Sequence, residues 1–459
     1  MSLVPASIFR SYDIRGVVDR DLDESVVEEI GRAIGSEALS RGIDSLVFGR
    51  DGRLSGVRLS RALRQGMLGS GIGIIDIGCV PTPQLYFAAC TLAGGSGVML
   101  TGSHNPPEYN GIKVMLAGET LYGEAIQALY RRVEQQDFHY GNGVSLERNV
   151  HEEYLHQLAS RITLARPLKV VVDCGNGVAG LTAPPLFSRL GCEVIELFCE
   201  VDGNFPHHHP DPNQPENLQS LIAAVRDSGA DIGLAFDGDG DRLGVVSCSG
   251  EIIWPDRLMM LYARDLLARH PGAHVIYDIK CSRNLGRDIA EHGGRPEMWQ
   301  TGHSLLKARM QERGALLAGE MSGHIFLKEG WYGFDDALYA AARLLELLAA
   351  DKRGCGPLFD ELPDMVNTPE LHVEMAEGKH YAFMRKLMSQ QQYFAGAELT
   401  TIDGLRVDYK DGWGLVRASN TTPTLVLRFE AESEDALLRI QNIFRVLMLQ
   451  LEPNLHIPF

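Results

Sequence analysis

Basic residues are scarce: 43 Lys and Arg stand against 60 Asp and Glu in 459 residues, a formal net charge of −17. That balance argues against a nucleic-acid or anionic-membrane partner, because either needs a basic surface. It leaves room for a small anionic substrate wherever a pocket gathers cations locally. Long apolar runs are missing too. The most apolar helical pattern, ALYAAARLLELLAA, carries Arg343 and Glu346 and is too short to span a bilayer. The opening MSLVPASIFRSYDIRG lacks the apolar stretch of a secretory signal. No Cys-x-x-Cys pair occurs. The eight cysteines (Cys79, Cys90, Cys174, Cys192, Cys199, Cys248, Cys281, Cys355) are scattered, several within apolar runs, and read as reduced, mostly buried thiols. A soluble, cytoplasmic protein is expected, with no sign of an obligate protein partner.

What is present is repetition. A β-rich run ending in polar residues occurs at SLVFGRDGR, LKVVVDCGNG and HVIYDIKCSRN. Each is followed by a helical pattern and then a glycine leading into a second strand: GIGIIDIG, GCEVIELF and, less regularly, GGRPEMWQTG. A third apolar run ends in a conspicuous loop: GVMLTGSHN, DIGLAFDGDGD and GALLAGEMSGH. Strands alternating with helices imply right-handed βαβ units around a mostly parallel sheet. Three such units, each with its loop at the carboxyl end of a strand where ligands bind, are more than one core can hold, since single cores stop growing at roughly 250–300 residues. After a breaker-rich stretch read as a linker, DKRGCGPLFDELPDMVNTPE, come a helix, the strands LRVDY, GLVRAS and TLVLRFEA, and a last helix with Ser433 as N-cap. The expected architecture is α/β: three tandem related mixed α/β domains with mostly parallel sheets (1–149, 150–251, 252–363) and a smaller C-terminal α+β domain (364–459).

The loops carry the chemistry. In FDGDGDR, Asp237, Asp239 and Asp241 alternate with glycines, so an extended chain would present all three carboxylates on one side and the glycines would let it curl around a cation. Clustered carboxylates call for a hard divalent ion, most simply Mg²⁺; a solvated acidic turn is the alternative. An EF-hand is excluded, because its Gly and Glu positions hold Arg242 and Cys248. TGSHNPP offers Ser103 with only His104 beside it as a base. It lacks the G-x-S-x-G elbow of a serine hydrolase, and taken alone it reads as a turn. GEMSGH places Glu320, Ser322 and His324 where a carboxylate and a hydroxyl could read sugar hydroxyls. RASNTTP combines Arg417 with Ser419, Asn420, Thr421 and Thr422, the makings of a phosphate cradle. Ordinary polar turns compete with both. GNGVAG, from Gly175, fits a dinucleotide fingerprint with Glu196 as its acid. Pro184, Pro185 and Asp173 count against that reading, and a tight structural turn is favoured. HHHPDP (His207 to Pro212) reads as a surface loop.

TGSHNPPEYNGIK, FDGDGDR, GEMSGH and RASNTTP occur in the order found in the α-D-phosphohexomutases, and the chain resembles that family along essentially its whole length, including FRSYDIRG near the start. Phosphoglucosamine mutases resemble it too, but typically carry Ser-Gly-Thr-Glu where this chain has SNTT. The resemblance implies a four-domain enzyme with a central cleft, interconverting hexose 1-phosphates and hexose 6-phosphates through a phosphoserine and a reorienting 1,6-bisphosphate. By the same resemblance, Ser103 is the phosphoserine and joins Asp237, Asp239 and Asp241 in holding Mg²⁺, with glucose 1,6-bisphosphate as activator. Lys113, His324 and Arg15 complete the catalytic set, and the pKa of Lys113 is expected to be lowered by burial and cationic neighbours. Tyr12, Arg15, Lys280, Gly302 and His303 line the cleft. The stretch Glu320, Met321, Ser322, Gly323, His324 reads the sugar. The stretch Arg417, Ala418, Ser419, Asn420, Thr421 holds the non-reacting phosphate. If Glu320 and Ser322 grip O3 and O4, the epimeric O2 goes unread, and glucose and mannose phosphates are both substrates.

Overall fold

The computed structural model describes residues 4–376, 378–420 and 422–459. Its first three units repeat one plan. In each, three parallel strands are followed in the chain by a fourth that runs antiparallel along the third. In the first unit the parallel strands are Ser45–Arg50, Gly73–Cys79 and Gly97–Leu100, with Tyr109–Leu116 antiparallel to the last. The second uses Lys169–Asp173, Glu193–Leu197 and Ile232–Phe236, then Leu243–Ser247. The third uses His274–Asp278, Arg295–Trp299 and Leu317–Gly319, then Ile325–Leu327. The strand that opens each unit lies in the middle of its parallel trio and is a continuous apolar run, as a strand covered on both faces must be; Val170, Val171 and Val172 are fully buried.

The turn between the third and fourth strands is the same topological position in all three units. It holds residues 101–108, 237–242 and 320–324 respectively. The first sheet is extended by Ile14–Val17, Glu119–Thr120 and Ser145–Glu147 to seven strands. The fourth unit is a six-stranded antiparallel sheet built around Leu405–Tyr409, Gly412–Ala418 and Thr424–Ala431, against which helices Lys379–Met388 and Glu434–Leu451 pack. Its fourth conspicuous loop joins the last two of those strands. Ser433 caps the final helix, its hydroxyl accepting from the Ala436 N–H.

The breaker-rich stretch is more ordered than its composition suggests. Helix Cys355–Asp360 forms within it, burying Cys355 and Phe359, and Val366–Asn367 pairs with Thr424–Ala431. All eight cysteines are free, but only Cys174, Cys281 and Cys355 are buried; Cys248 is exposed and the others are half-buried. One apolar core runs through the first three units, joining Leu85 and Phe87 to Phe187 and Phe236 and on to Leu338 and Leu345. The fourth unit has its own core around Leu427, Phe429 and Phe444; the small apolar cluster of Ile279, Trp413 and Leu415 joins it to the third, together with polar contacts such as Arg406 to the Ile279 and Cys281 carbonyls. Three units therefore form one scaffold and the fourth is a separately packed body.

Candidate active site

The four loops meet at one cleft of about 260 Å³, to which every unit contributes: Ser103, Arg242, Glu320 and Arg417 all lie on its wall. The first two loops touch directly. Ser103 Oγ donates to Asp237 Oδ2 at 3.0 Å and lies 3.2 Å from His104 Nδ1. Ser103 is held at φ 49, a left-handed conformation that costs a residue with a Cβ on the order of 1–3 kcal/mol. Gly238 permits the approach, since a Cβ there would stand 2.4 Å from the Ser103 carbonyl oxygen. Thr82, at the start of helix Thr82–Leu92, clamps the same metal loop: its N–H donates to Asp239 O and its hydroxyl to Asp239 Oδ2 at 2.6 Å.

The aspartates are gathered by a turn, not by alternation along an extended strand. Asp237 Oδ1 accepts the N–H groups of Asp241 and Arg242, which folds the loop back on itself. Ligand oxygens of Asp237, Asp239 and Asp241 then lie within 4.8 Å of one another, and all three residues are fully buried. Burial, Asp239 and Asp241 together push the Asp237 carboxyl well above the usual range. Asp239 Oδ1 is buried without a hydrogen-bond partner among the described residues. A concave nest of three carboxylates with an unsatisfied oxygen fits a hard divalent cation.

Lys113 corrects an expectation. Its neighbours are anions: Nζ donates to Asp239 Oδ2 at 2.8 Å and to Asp241 Oδ2 at 2.5 Å. Burial opposes its charge, but the two carboxylates outweigh burial and hold the ammonium's pKa well above the ordinary lysine value. His324 is held similarly. Its Nε2 lies 3.2 Å from Asp241 Oδ1 and its Nδ1 lies 2.9 Å from Glu320 Oε2 and 3.0 Å from Ser322 Oγ. Burial lowers its pKa, yet Asp241 and Glu320 carry it up to about 9. The loops at residues 320–324 and 237–242 are joined by an antiparallel bridge between Arg242 and His324. Glu320 also accepts the Gly302 N–H at 2.6 Å. Ser322 is on the cleft wall, whereas Met321 is buried with its sulfur against Arg428 and Gly323 shapes the turn.

The fourth loop faces the others across the cleft. Asn420 Nδ2 donates to the Tyr12 hydroxyl at 2.5 Å, and that hydroxyl donates to the Thr301 carbonyl at 2.7 Å. Arg417, Ser419, Asn420 and Thr422 line the cleft; Ala418 faces a separate surface pocket beside Tyr381, and Thr421 lies outside the described residues. The three cations expected to attract phosphate are each matched with a carboxylate: Arg15 with Asp13 at 2.5 Å, Lys280 with Glu370 at 2.5 Å, and Arg417 with Asp403 at 2.9 Å. Those carboxylates were not legible as site residues. Neither was Asp335, buried between Lys307 at 2.9 Å and His303 at 3.4 Å. Asp13 lies within FRSYDIRG, but the others stand in stretches with no recognisable motif, so spacing offers no signal for them.

The two distracting motifs pair with each other. GNGVAG is a turn into the short 3₁₀ segment Val178–Leu181, with no helix opening at its glycines as a dinucleotide site requires. His208 of HHHPDP lies 3.0 Å from Asp173 Oδ1, and His207 bonds Asn176 and stacks on Phe198. These contacts are architectural, but Asp211 of the second motif lies on the cleft wall, where a surface loop was expected.

Comparison with known proteins agrees with this layout. Models of the phosphoglucomutase/phosphomannomutase family match in four consecutive pieces: alpha/beta/alpha domain I over residues 6–140, domain II over 152–250, domain III over 254–366 and the C-terminal domain over 370–445. The phosphomannomutase/phosphoglucomutase of Pseudomonas aeruginosa is 56% identical over 99% of this chain and 98% of its own length. A phosphoglucomutase of Neisseria gonorrhoeae is 51% identical over 100% and 99%. A crystal structure of a phosphoglucomutase/phosphomannomutase family protein from Burkholderia thailandensis superposes with a TM-score of 0.94 at 52% identity, covering 100% of both chains.

Proposed function

The chain belongs to the phosphoglucomutase/phosphomannomutase family, and from that premise we propose how its residues share the work. The enzyme is a phosphohexomutase: it interconverts hexose 1-phosphates and hexose 6-phosphates by phosphoryl transfer through a phosphoserine. What supports Ser103 as the phosphoserine is its hydroxyl's 3.0 Å contact with Asp237, at the lip of the carboxylate nest.

Phospho-Ser103 donates to the free hydroxyl of a hexose phosphate. The new P–O bond forms on the sugar as the P–Oγ bond breaks, giving a 1,6-bisphosphate. The intermediate reorients in the cleft and its other phosphate returns to Ser103, so no phosphate is released. Such transfers pass through a loose transition state, and catalysis is chiefly positioning and charge neutralisation. Asp237, Asp239 and Asp241, with the Ser103 phosphate, would hold Mg²⁺, which supplies Lewis-acid neutralisation of the phosphoryl oxygens when bound. Lys113 and His324 rest protonated, both against Asp241, and so are placed to donate a proton to a departing oxygen. Burial, Arg242 and Arg15 keep His104 neutral. Its Nδ1 stands 3.2 Å from Oγ, whose own proton is directed at Asp237 Oδ2.

Glu320 and Ser322 read O3 and O4 of the sugar, while Arg417, Ser419, Asn420 and Thr421 hold the phosphate that is not reacting. Glucose 1,6-bisphosphate activates by restoring phosphate lost from Ser103 to water. We place the enzyme in the cytoplasm, a setting that suits eight unpaired thiols. The test is conversion of glucose 1-phosphate to glucose 6-phosphate, stimulated by added bisphosphate, with Ser103→Ala losing nearly all turnover. Net phosphate release, or dependence on ATP, would contradict the proposal.

A further inference from the structure

Arg53 is buried beneath the phosphoserine loop, its side chain fully shielded from solvent. A guanidinium has five N–H donors in a fixed planar fork, and here all five are used. Nη1 donates to the carbonyls of Pro106 at 2.6 Å and Tyr109 at 3.0 Å. Nη2 donates to those of Ser103 at 2.8 Å and Asn105 at 2.6 Å. Nε donates to Asp51 Oδ2 at 3.2 Å. Asp51 holds the other side of the loop: its Oδ2 accepts the Thr101 hydroxyl at 2.8 Å and the Gly102 N–H at 3.1 Å. Thr101 Oγ1 in turn accepts the Ser103 N–H at 2.8 Å. Both backbone polar groups of Ser103 are therefore fixed, one through Asp51 and one by Arg53.

We infer that the Asp51–Arg53 pair is the positioning device of the phosphoryl-carrying serine, imposing its left-handed backbone and aiming Oγ at the carboxylate nest. This rests on Ser103 being the phosphoserine. Four carbonyl groups converging from one loop need one planar multidentate cation. Lysine, with three donors at a single point, cannot replace it. The second unit, which carries Asp237, packs on the same residue: the Phe205 ring lies 5.3 Å from the guanidinium carbon. Moving Arg53 therefore shifts Ser103 relative to the metal loop. The loops proposed to hold the sugar and the distal phosphate, around Glu320 and Arg417, belong to the third and fourth units and stay in place. Arg53 touches no reacting atom, so its signature is a loss in kcat with KM preserved.

Gly102 supplies an independent handle. Its φ is not in the left-handed region, yet a Cβ there would stand 2.4 Å from the Arg53 guanidinium carbon. Gly102→Ala therefore displaces the guanidinium without removing its charge. Steady-state mutase kinetics of Arg53→Lys, Gly102→Ala and the double variant form a cycle. Arg53→Lys is expected to lower kcat by about 100-fold, the cost of a displacement of roughly 1 Å, with KM for glucose 1-phosphate within about threefold. Gly102→Ala should lower kcat by about tenfold or more on the same grounds, and the double variant should be no slower than Arg53→Lys, because the slimmer ammonium relieves the clash. Transfer of phosphate from glucose 1,6-bisphosphate to Ser103, followed by intact mass, should slow by the same factors. Folded Arg53→Lys with wild-type kcat overturns the inference, as do losses that multiply in the double variant, or a reduced yield of folded protein with normal turnover per molecule. If Arg53→Lys does not fold, wild-type kcat in Gly102→Ala overturns it alone. A wild-type protein without mutase activity would instead defeat the functional reading beneath it.

Discussion

Asp237→Asn separates the cost of the carboxylate nest from its use. Two carboxylate charges on oxygens within 4.8 Å of one another, at an effective dielectric of about 20, repel by about 3.5 kcal/mol or more. Asp237 faces two such neighbours. Lys113 relieves the other two members, since its contacts are to Asp239 and Asp241 and not to Asp237. Asp237 is thus the least compensated member, and its raised pKa is the response. The asparagine keeps Oδ1 as acceptor for the Asp241 and Arg242 N–H groups and presents an amide to Ser103 Oγ, which can accept. Without metal, the variant should be at least as stable as the wild type. With Mg²⁺ the order reverses. A ligand at 100 times its Kd stabilises the native state by about 2.7 kcal/mol, or on the order of 5–10 °C for a cooperative unit of roughly 150–250 residues. Thermal unfolding with and without MgCl₂ reads both effects: a large upward shift in the wild type, and most of it gone in Asp237→Asn. A variant that keeps the full magnesium shift, or loses several degrees without metal, refutes the assignment of this nest as the cation site.

Two further outcomes are expected. Glu320 and Ser322 lie on the cleft wall; on the proposal that they read O3 and O4 and leave O2 unread, glucose 1-phosphate and mannose 1-phosphate should both be turned over, and negligible turnover of one under conditions where the other runs well contradicts this. Burial opposes protonation of His208, but Asp173 raises its pKa in the folded state above the ordinary value. The stability it adds is therefore fully present below about pH 6.5 and is lost as pH rises through the folded value. His208→Asn should cost about 1.5–3 kcal/mol in acid, in a denaturant titration whose deficit closes towards alkaline pH; a deficit independent of pH contradicts the ion pair.

Much of this was legible from the residues because chemistry and fold share the same short loops. Glycines, prolines and hydroxyls at Thr101–Pro107, Asp237–Arg242 and Glu320–His324 mark both the end of a strand and the place where a ligand binds, so a repeat visible in the sequence also located the site. The curl expected of the glycines in FDGDGDR is there, closed by the N–H groups of Asp241 and Arg242 on Asp237. One expectation failed. The lysine in the first loop's strand was expected among cations, but the antiparallel register that pairs Lys113 with Met99 carries its side chain to the second unit's aspartates. Long-range partners such as Asp335, Glu370 and Asp403 left no trace, because an isolated acidic residue looks the same on a surface as beneath a cleft. Arg53 was visible only as one polar residue ending SLVFGRDGR; four of its five acceptors are carbonyls some fifty positions away.

The central claim is that Ser103 stores the phosphoryl group, and the most direct test is the intact mass of the active enzyme before and after phosphatase treatment, with peptide mapping. One removable phosphate on Ser103, lost together with activity and restored with it by glucose 1,6-bisphosphate, is the predicted result. Full activity in protein carrying no phosphate at Ser103, without added bisphosphate, would contradict it.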